Sequence, residues 1–557
     1  MTGPAPVRLV FLGGLGEIGR NCAVLEVENR LVLIDCGLMF PEADMPGIDL
    51  VLPDFTYLRE NADRIDGVVL THGHEDHVGA LSYLLRETNL TVFGSRLTLG
   101  LARSRVEEAG LLDRVTWVPV SDGETVHIGP IPTEFIAVTH SVPYGFATAF
   151  HTPQGVIVHS GDFKLDATPV DGRRTDLARI GALAHNPGIR LLLADSTNAE
   201  EEGFTPSESE VGRVLKGIFM VHPTQRIVVA CFASHIHRVQ QVADAAIACG
   251  RKVATLGRSM GKNVALAREM GLLTIPEDSL LDIADARDVP DEKLCVVSTG
   301  SQGEPMSALA LMAAGQNKFV RIGSNDVVIL SSHAIPGNEY SVNKVIDGLF
   351  RRGADVIHAK IADVHVSGHA RRGELRTLLN VAKPEFFLPV HGEFRHLIHH
   401  ARLAYEMGIA ESNVVIAQDG DVVELGANGP ALVGQVPADH LYVDGTVGDV
   451  GHGVLRDRRV LAEEGVVMCV LTLDTRTGGI VTGPQIVTRG WVHADEAADL
   501  LDEAAERVFD AVKSAVAATQ GPIELDPIRR VVRRSLGSFV SERTKRRPMI
   551  VPVILET

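Results

Sequence analysis

The chain has 557 residues, and at about 150 residues per domain that suggests three or four domains. It is 45% hydrophobic and 22% charged, no apolar run approaches the roughly 20 residues of a membrane helix, and the start MTGPAPVRLVFLGGLGEIGR lacks the layout of a secretory signal, so an integral membrane protein is excluded and a secreted one disfavoured. The net charge of −18 argues against a uniformly basic surface but leaves room for a local basic groove along a nucleic acid.

Along the first 200 residues, VRLVFLG, CAVLEVEN and RLVLIDCG read as consecutive strands. GVVLTHG is a buried strand that stops at a loop, HVGALSYLLRE after it has helical spacing, and TVFGS, ATAFHTP, GVIVHSGD and LLLADST are further strands. Strands whose ends carry His and Asp suit a sandwich-like α/β architecture with a site along one edge. From about Ser207 the pattern becomes strand–helix alternation (RIVVACF, KVATLG, LCVVSTGSQG, DVVILSSH), as expected of a parallel α/β domain with its ligand loops on one edge. The strand-plus-histidine texture returns after Arg352 in ADVHVSGHA and KPEFFLPVHGE, so one domain is interrupted by another. The expected division is 1–206, an insertion at 207–352, a return at 353–432, a Gly/Asp-rich linker at 433–460, and a small α/β unit at 461–557. That last unit holds the strand VVMCVLTL, helices in DEAADLLDEAAERVFDAVKSAVAA and PIRRVVRRSLGSFVSER, and the strand MIVPVILE.

The six cysteines are scattered without a CxxC pair and read as free thiols of a reducing, cytoplasmic compartment, which leaves metal binding to His and carboxylate. The most informative segment is Thr71-His72-Gly73-His74-Glu75-Asp76-His77. His72 and His74, two apart in an extended loop, can aim two imidazoles one way, while Asp76 and His77 at the start of the next helix turn toward a second position. Four donors within six residues exceed what one tetrahedral ion with room for substrate can take, so two ions, Zn²⁺ or alternatively Mn²⁺ or Mg²⁺, are the economical reading. A GxGxxG sequence at Gly14, Gly16 and Gly19, with Asp35 downstream, competes as a dinucleotide fingerprint. The β-like RNCAVLEVE after it offers no helix for a pyrophosphate, so it reads as a Gly-rich turn between strands.

The HxHxDH pattern resembles the signature of the metallo-β-lactamase superfamily. The further ligands that this resemblance implies match His140 in FIAVTHSVP, Asp162 in VIVHSGDFK and His391 in FFLPVHGE, each following an apolar run. By the resemblance, the fold is an αββα sandwich; His72, His74 and His140 hold one zinc, Asp76, His77 and His391 the other, Asp162 joins them, and Asp35 orients a ligand imidazole from behind. The insertion resembles that of the nucleic-acid-acting β-CASP group, whose additional motifs match Asp195 in LLLADSTNA and His369 in His365-Val366-Ser367-Gly368-His369. With GGLGEIG, TGSQGEP, SSHAIPGNE and PVHGE, the whole chain resembles the bacterial ribonuclease J family, and no ligand is missing.

The loops agree with such a substrate. Ser301-Gln302-Gly303 follows a buried strand with hydroxyls and free backbone N–H groups, Ala233-Ser234-His235 ends another, and Ser367-Gly368-His369 is expected beside the metals, together a phosphate-tracking channel for single-stranded RNA. Near the C-terminus Arg529, Arg530, Arg533, Arg534, Arg543, Lys545, Arg546 and Arg547 form a basic cluster that reads as an RNA contact, a solvated face or a subunit interface. The resemblance implies assembly, to a homodimer or homotetramer. It also implies partners in RNA decay and a structural calcium, for which Asp49 and Asp444 are the candidates.

The expected function is therefore zinc-dependent hydrolysis of RNA phosphodiesters by activated water, with His369 gripping the phosphate or protonating the leaving oxygen and Asp195 as its partner. By resemblance it is 5′-to-3′ exonucleolytic on 5′-monophosphorylated RNA, with endonucleolytic cutting, in RNA maturation and mRNA decay. The alternatives are a β-CASP DNA nuclease or other dimetal hydrolase, and a non-enzymatic RNA-binding scaffold.

Overall fold

A computed structural model of the chain describes residues 5–42, 44–335, 337–445, 447–492 and 497–557. It divides into one unit of residues 1–40 and 51–440 and a second of residues 41–50 and 441–557.

In the first unit, the apolar runs read from the sequence build two sheets. One has eight strands, in the order Gly429–Gln435, Asp421–Gly426, Val7–Gly13, Cys22–Val27, Arg30–Ile34, Ile65–Val69, Leu90–Gly94 and Val115–Pro119. The other has six, in the order Phe386–Val390, Ile189–Asp195, Gly155–His159, Gly145–Thr152, Ile131–Val138 and Thr125–Ile128. Phe11, Leu25, Val32 and Val69 of the first sheet share a core with Phe135, Phe146, Ile157, Leu193 and Leu388 of the second, so the sheets pack face to face. Strand alternation sends the neighbouring Ile136, Ala147, Val158 and Leu192 to the outer face, where Ile180, Leu375, Leu379 and Leu403 of three helices cover them. This is the expected αββα sandwich.

The chain leaves the sandwich after Asp195 and builds a third sheet in which every pairing is parallel, in the order Leu280–Leu281, Lys252–Leu256, Leu294–Ser298, Arg226–Ala230, Asp326–Leu330 and Asp355–His358. Leu294–Ser298 and Asp326–Leu330 are buried along their whole length, as strands covered on both faces must be. The helix after Arg226–Ala230 packs on one face through Ile236 and Val239, and the helix after Leu294–Ser298 on the other through Leu309 and Met312. The two adjacent strand-end loops therefore diverge, which opens a crevice at the carboxyl edge. Asp355–His358 still belongs to this sheet, which runs past the expected boundary at 352.

In the second unit, Val466–Leu473 lies between Ile480–Arg489 and Met549–Glu556. Its alternate residues Val467, Cys469 and Leu471 pack on Val508, Val512, Val532, Leu536 and Phe539 of the helices Ala498–Ala518 and Leu525–Thr544. The helix expected from Asp495 is described from Ala498; residues 495 and 496 lie outside the described residues. The expected irregular linker at 433–460 contains instead the strand Leu441–Asp444 and the helix Gly451–Glu463. The repeated Gly and Asp there mark turns between short elements rather than a structureless run.

Candidate metal centre

Six segments of the first unit converge on one edge of the sandwich. His72 and His74 lie in the loop after Ile65–Val69, and Asp76 and His77 in the short helix Glu75–Val78. His140 follows Ile131–Val138 and Asp162 follows Gly155–His159. Asp195 ends Ile189–Asp195, and His391 comes directly after Phe386–Val390. Gly155–His159, Ile189–Asp195 and Phe386–Val390 are parallel neighbours, with Asp195 opposite Val390, so their carboxyl ends deliver Asp162, Asp195 and His391 to the same place.

Close backbone approach makes the loop possible. A Cβ on Gly37 would stand 1.6 Å from the Asp76 carbonyl oxygen. Without one, the 35–38 segment lies against the helix, Cys36 donating to the His77 carbonyl at 2.8 Å and Leu38 to that of Glu75 at 3.0 Å. Asp35 (φ 62°) turns its carboxylate inward, accepting from the Thr71 amide at 2.7 Å and hydroxyl at 2.8 Å and meeting His77 Nδ1 at 2.8 Å. Gly368 plays the same part at His140: its carbonyl oxygen is 2.8 Å from Nδ1, and a Cβ there would meet the ring at 2.6 Å.

The resulting donor sets are His72, His74, His140 and Asp162; Asp76, His77, Asp162 and His391; and Asp162, Asp195, His369 and His391, each with all of its ligand atoms within 4.8 Å of one another. Asp162 belongs to all three, and the first two are those the sequence leads one to expect. Its Oδ2 lies 3.4 Å from His72 Nε2, 3.3 Å from His77 Nε2 and 3.7 Å from His140 Nε2, and His391 Nε2 is 3.5 Å from Asp76 Oδ2. Asp162 Oδ2 and His391 Nε2 are buried without a hydrogen-bond partner. Two donors about 2.0–2.2 Å from one tetrahedral ion stand about 3.3–3.6 Å apart, so the spacings to His72 and His77 and between His391 and Asp76, long for hydrogen bonds, suit atoms that share a cation, and that to His140 is slightly longer. His72 Nε2 and His140 Nε2 both face His74 Nδ1, at 3.0 and 3.1 Å. These histidine and carboxylate donors, buried except for the half-buried His74 and Asp76, thus fit a pair of divalent cations.

Electrostatics points the same way. Burial holds His72 and His140 well below the usual imidazole range and brings His74 down to about 4, so the first set offers neutral nitrogens. Burial also opposes charge on His77 and His391, but Asp162, Asp76 and Asp35 raise His77 well above its ordinary value, and Asp162, Asp195 and Asp76 raise His391 to about 10. Asp76 and Asp162 are held well below the usual carboxylate range, the imidazoles outweighing burial. The carboxylates concentrate negative potential where a cation would replace those protons.

Beside this cluster, His369 Nδ1 lies 2.8 Å from Asp195 Oδ2 and 4.0 Å from Asp162 Oδ2, with its side chain 20% exposed. Burial disfavours its charge, yet Asp195 lifts its proton affinity above the ordinary imidazole value. The other expected RNA contacts lie in segments that follow strands of the parallel sheet, and several are committed internally. His235 is buried with Nε2 3.4 Å from Glu208. Gln302 bridges the His333 carbonyl and the Ile335 amide, both at 2.7 Å. Ser301 is buried, Ala233 and Ser234 are half-buried, and Gly303 has φ 77° against Ser341. His365 is half-buried and stacks edge-on with His333, Val366 is buried, and Ser367 Oγ accepts from Asn198 and from the His369 amide.

Asp49 and Asp444, both in the second unit, have other partners: Asp49 accepts from the Gly445 amide at 2.7 Å and Asp444 pairs with Arg458 at 2.5 Å. Among the described residues neither belongs to a cluster of three or more His, Cys, Asp or Glu side chains. The glycine-rich turn pairs Leu15–Gly16 with Gly392–Glu393, and Asp35 is engaged beneath the metal loop rather than by a ribose. Three contributors were missed. Asn21 donates to the Asp76 carbonyl at 3.0 Å and meets His77 Nε2 at 3.1 Å; Thr197 links Asp195 with His391; and Glu374 accepts from the amides of Leu165, Thr205 and Arg371 where the chain leaves and re-enters the sandwich. A signal for Thr197 was present, a hydroxyl two residues past a strand-ending aspartate.

A β-sandwich with paired donor sets along one edge is the architecture of the metallo-β-lactamase superfamily of metal-dependent hydrolases, and the family model of that superfamily matches residues 15–202. Models for the ribonuclease J β-CASP domain, the Zn-dependent metallo-hydrolase RNA specificity domain and the ribonuclease J C-terminal domain match residues 224–349, 355–416 and 453–557. Ribonuclease J 1 of Streptococcus pyogenes is 40% identical over 99% of this chain and 98% of its own length, and ribonuclease J of Mycobacterium tuberculosis 42% identical over 99% and 97%. Ribonuclease J2 of Bacillus subtilis is 38% identical over 99% and 98%. The chain belongs to the ribonuclease J family. A crystal structure of an Enterococcus faecalis protein of unknown function shares the fold, with TM-score 0.53 and 15% identity over 76% of this chain and all of that one.

Proposed function

We propose that the chain is a metal-dependent ribonuclease that hydrolyses RNA phosphodiesters to leave 5′-phosphates, working 5′-to-3′ from 5′-monophosphorylated ends and also cutting internally. The observation that carries the reading is the pair of largely buried donor sets that share Asp162, beside His369. Divalent cations held there, in this reading zinc, supply charge that polarises the phosphate and acidifies water.

This chain's own residues do the rest. His72, His74 and His140 would hold one cation and Asp76, His77 and His391 the other, with Asp162 within reach of both. His369, its Nδ1 tied to Asp195, presents Nε2 to the phosphate and gives its proton to the departing 3′ oxygen as water attacks phosphorus in line. The crevice between the 231–235 and 299–303 loops tracks the strand toward the centre. The second unit supports homodimer or homotetramer formation, and the cytoplasm, with RNA maturation and mRNA decay, is the setting that suits free thiols and this substrate.

The test is incubation of the purified chain with 5′-monophosphorylated RNA, 5′-triphosphorylated RNA and DNA of one sequence. Release of nucleoside 5′-monophosphates from the two RNAs and not from DNA, fastest from the monophosphorylated one and abolished in Asp76→Ala and His77→Ala, is expected. Wild-type rates in both variants would refute the mechanism, and equal cutting of DNA the substrate.

A further inference from the structure

We propose that Thr197 is a positioning residue that holds the His391 imidazole by its Nδ1–H so that Nε2 is the nitrogen offered to a cation, and that its hydroxyl ties His391 to the carboxylate that holds His369. The argument is a count of protons. Thr197 Oγ donates to Asp195 Oδ1 at 2.7 Å, and the Thr197 amide donates to the same oxygen at 2.9 Å. The hydroxyl has one proton, so toward His391 Nδ1, 2.6 Å away, it can only accept. Nδ1 therefore carries a hydrogen that Thr197 holds, so the nitrogen that gives up its proton to a cation is Nε2.

That nitrogen is buried without a hydrogen-bond partner, 3.5 Å from Asp76 Oδ2 and 3.7 Å from Asp162 Oδ1. With the reverse tautomer, the lone pair would turn away from the carboxylate cluster. Asp195 receives the Thr197 hydroxyl on one oxygen and His369 Nδ1, at 2.8 Å, on the other. One carboxylate thus orients a metal-set histidine through a hydroxyl and the phosphate-side histidine directly. His391 sits at φ 55°, a strained backbone for a residue with a side chain, and the Ser196 amide donates to its carbonyl at 3.1 Å, so backbone and ring are held from the same turn.

The inference rests on reading His391 as a metal ligand, and the experiment separates the two. The full chain is stripped of metal, refolding is monitored by circular dichroism, and Zn²⁺ binding is titrated in buffered free metal. Thr197→Val and Thr197→Ala are expected to bind one ion as the wild type does and the other 10–100-fold more weakly. Thr197→Ser is expected to restore it. Wild-type affinity for both ions in Thr197→Val would overturn the inference. So would a Thr197→Ser as weak as Thr197→Val, or a folded Thr197→Ser beside unfolded Val and Ala variants, which would assign the side chain to the fold. If His391→Ala itself keeps both ions, the reading of the metal centre fails; if it loses one while Thr197→Val loses none, only the role of Thr197 fails.

Discussion

Replacing Gly368 by alanine perturbs the centre through a single methyl group. The new Cβ would stand 2.6 Å from His140 Cε1, 2.7 Å from Nδ1 and 3.1 Å from the Ser141 amide nitrogen. Ordinary contact begins at 3.4 Å, so ring and methyl must part by about 0.8 Å. The ring is fixed on one side by the 2.8 Å bond from Nδ1 to the carbonyl of Gly368 itself, and on the other Nε2 stands 3.1 Å from His74 Nδ1. Ligand and catalytic groups tolerate about 0.5 Å of displacement, and a misplacement of about 1 Å costs about 100-fold, roughly 2.7 kcal/mol. Gly368→Ala is thus expected to lower kcat/KM on monophosphorylated RNA about 100-fold and to weaken one of two bound metals, without changing the melting midpoint much. Kinetics and metal analysis on the same preparation check it. Wild-type kcat/KM with two tightly held ions would refute the placement of His140 in the donor set.

Two further outcomes follow from named contacts. His369→Ala and Asp195→Asn should each reduce kcat by about 10²–10⁴, and the double variant should fall no further than the worse single one, because the two act as a unit; full metal content in His369→Ala separates this from loss of the centre. Glu208→Ala would strand the fully buried Arg238, whose guanidinium bonds Glu208 at 2.6 and 2.9 Å, at a cost of about 3–5 kcal/mol in urea unfolding. Burial disfavours the Glu208 carboxylate, but Arg238 and His235 hold it well below the ordinary glutamate value. Its contribution is therefore present above the unfolded glutamate value and lost as pH falls toward the folded one, so wild type and Glu208→Ala should converge in stability under acid.

The donors were legible because each stands where an apolar run stops. His140, Asp162 and His391 follow strands, and HGHEDH crowds four donors into six residues. What the sequence hides is adjacency. Ile189–Asp195 pairs with Phe386–Val390 across about 190 residues of intervening chain, and no local pattern encodes such a partner. Thr197 escaped notice for the same reason, since its meaning depends on His391. The strand Ile480–Arg489 was missed because Gly483 and Pro484 interrupt it, residues that argue against a strand; the register shift opposite Val470 and Thr472 accommodates them. The linker reading failed because turn-rich composition does not distinguish short elements from none.

The excursion that the chain makes between Asp195 and His391 also sets the order in which the centre comes into being. Translation delivers His72 through Asp162 early, but the seventh donor follows only after the whole parallel sheet has been made. A nascent polypeptide still short of residue 391 carries one donor set whole and the other a histidine short, so the paired centre cannot assemble beside the message until the inserted lobe has left the ribosome.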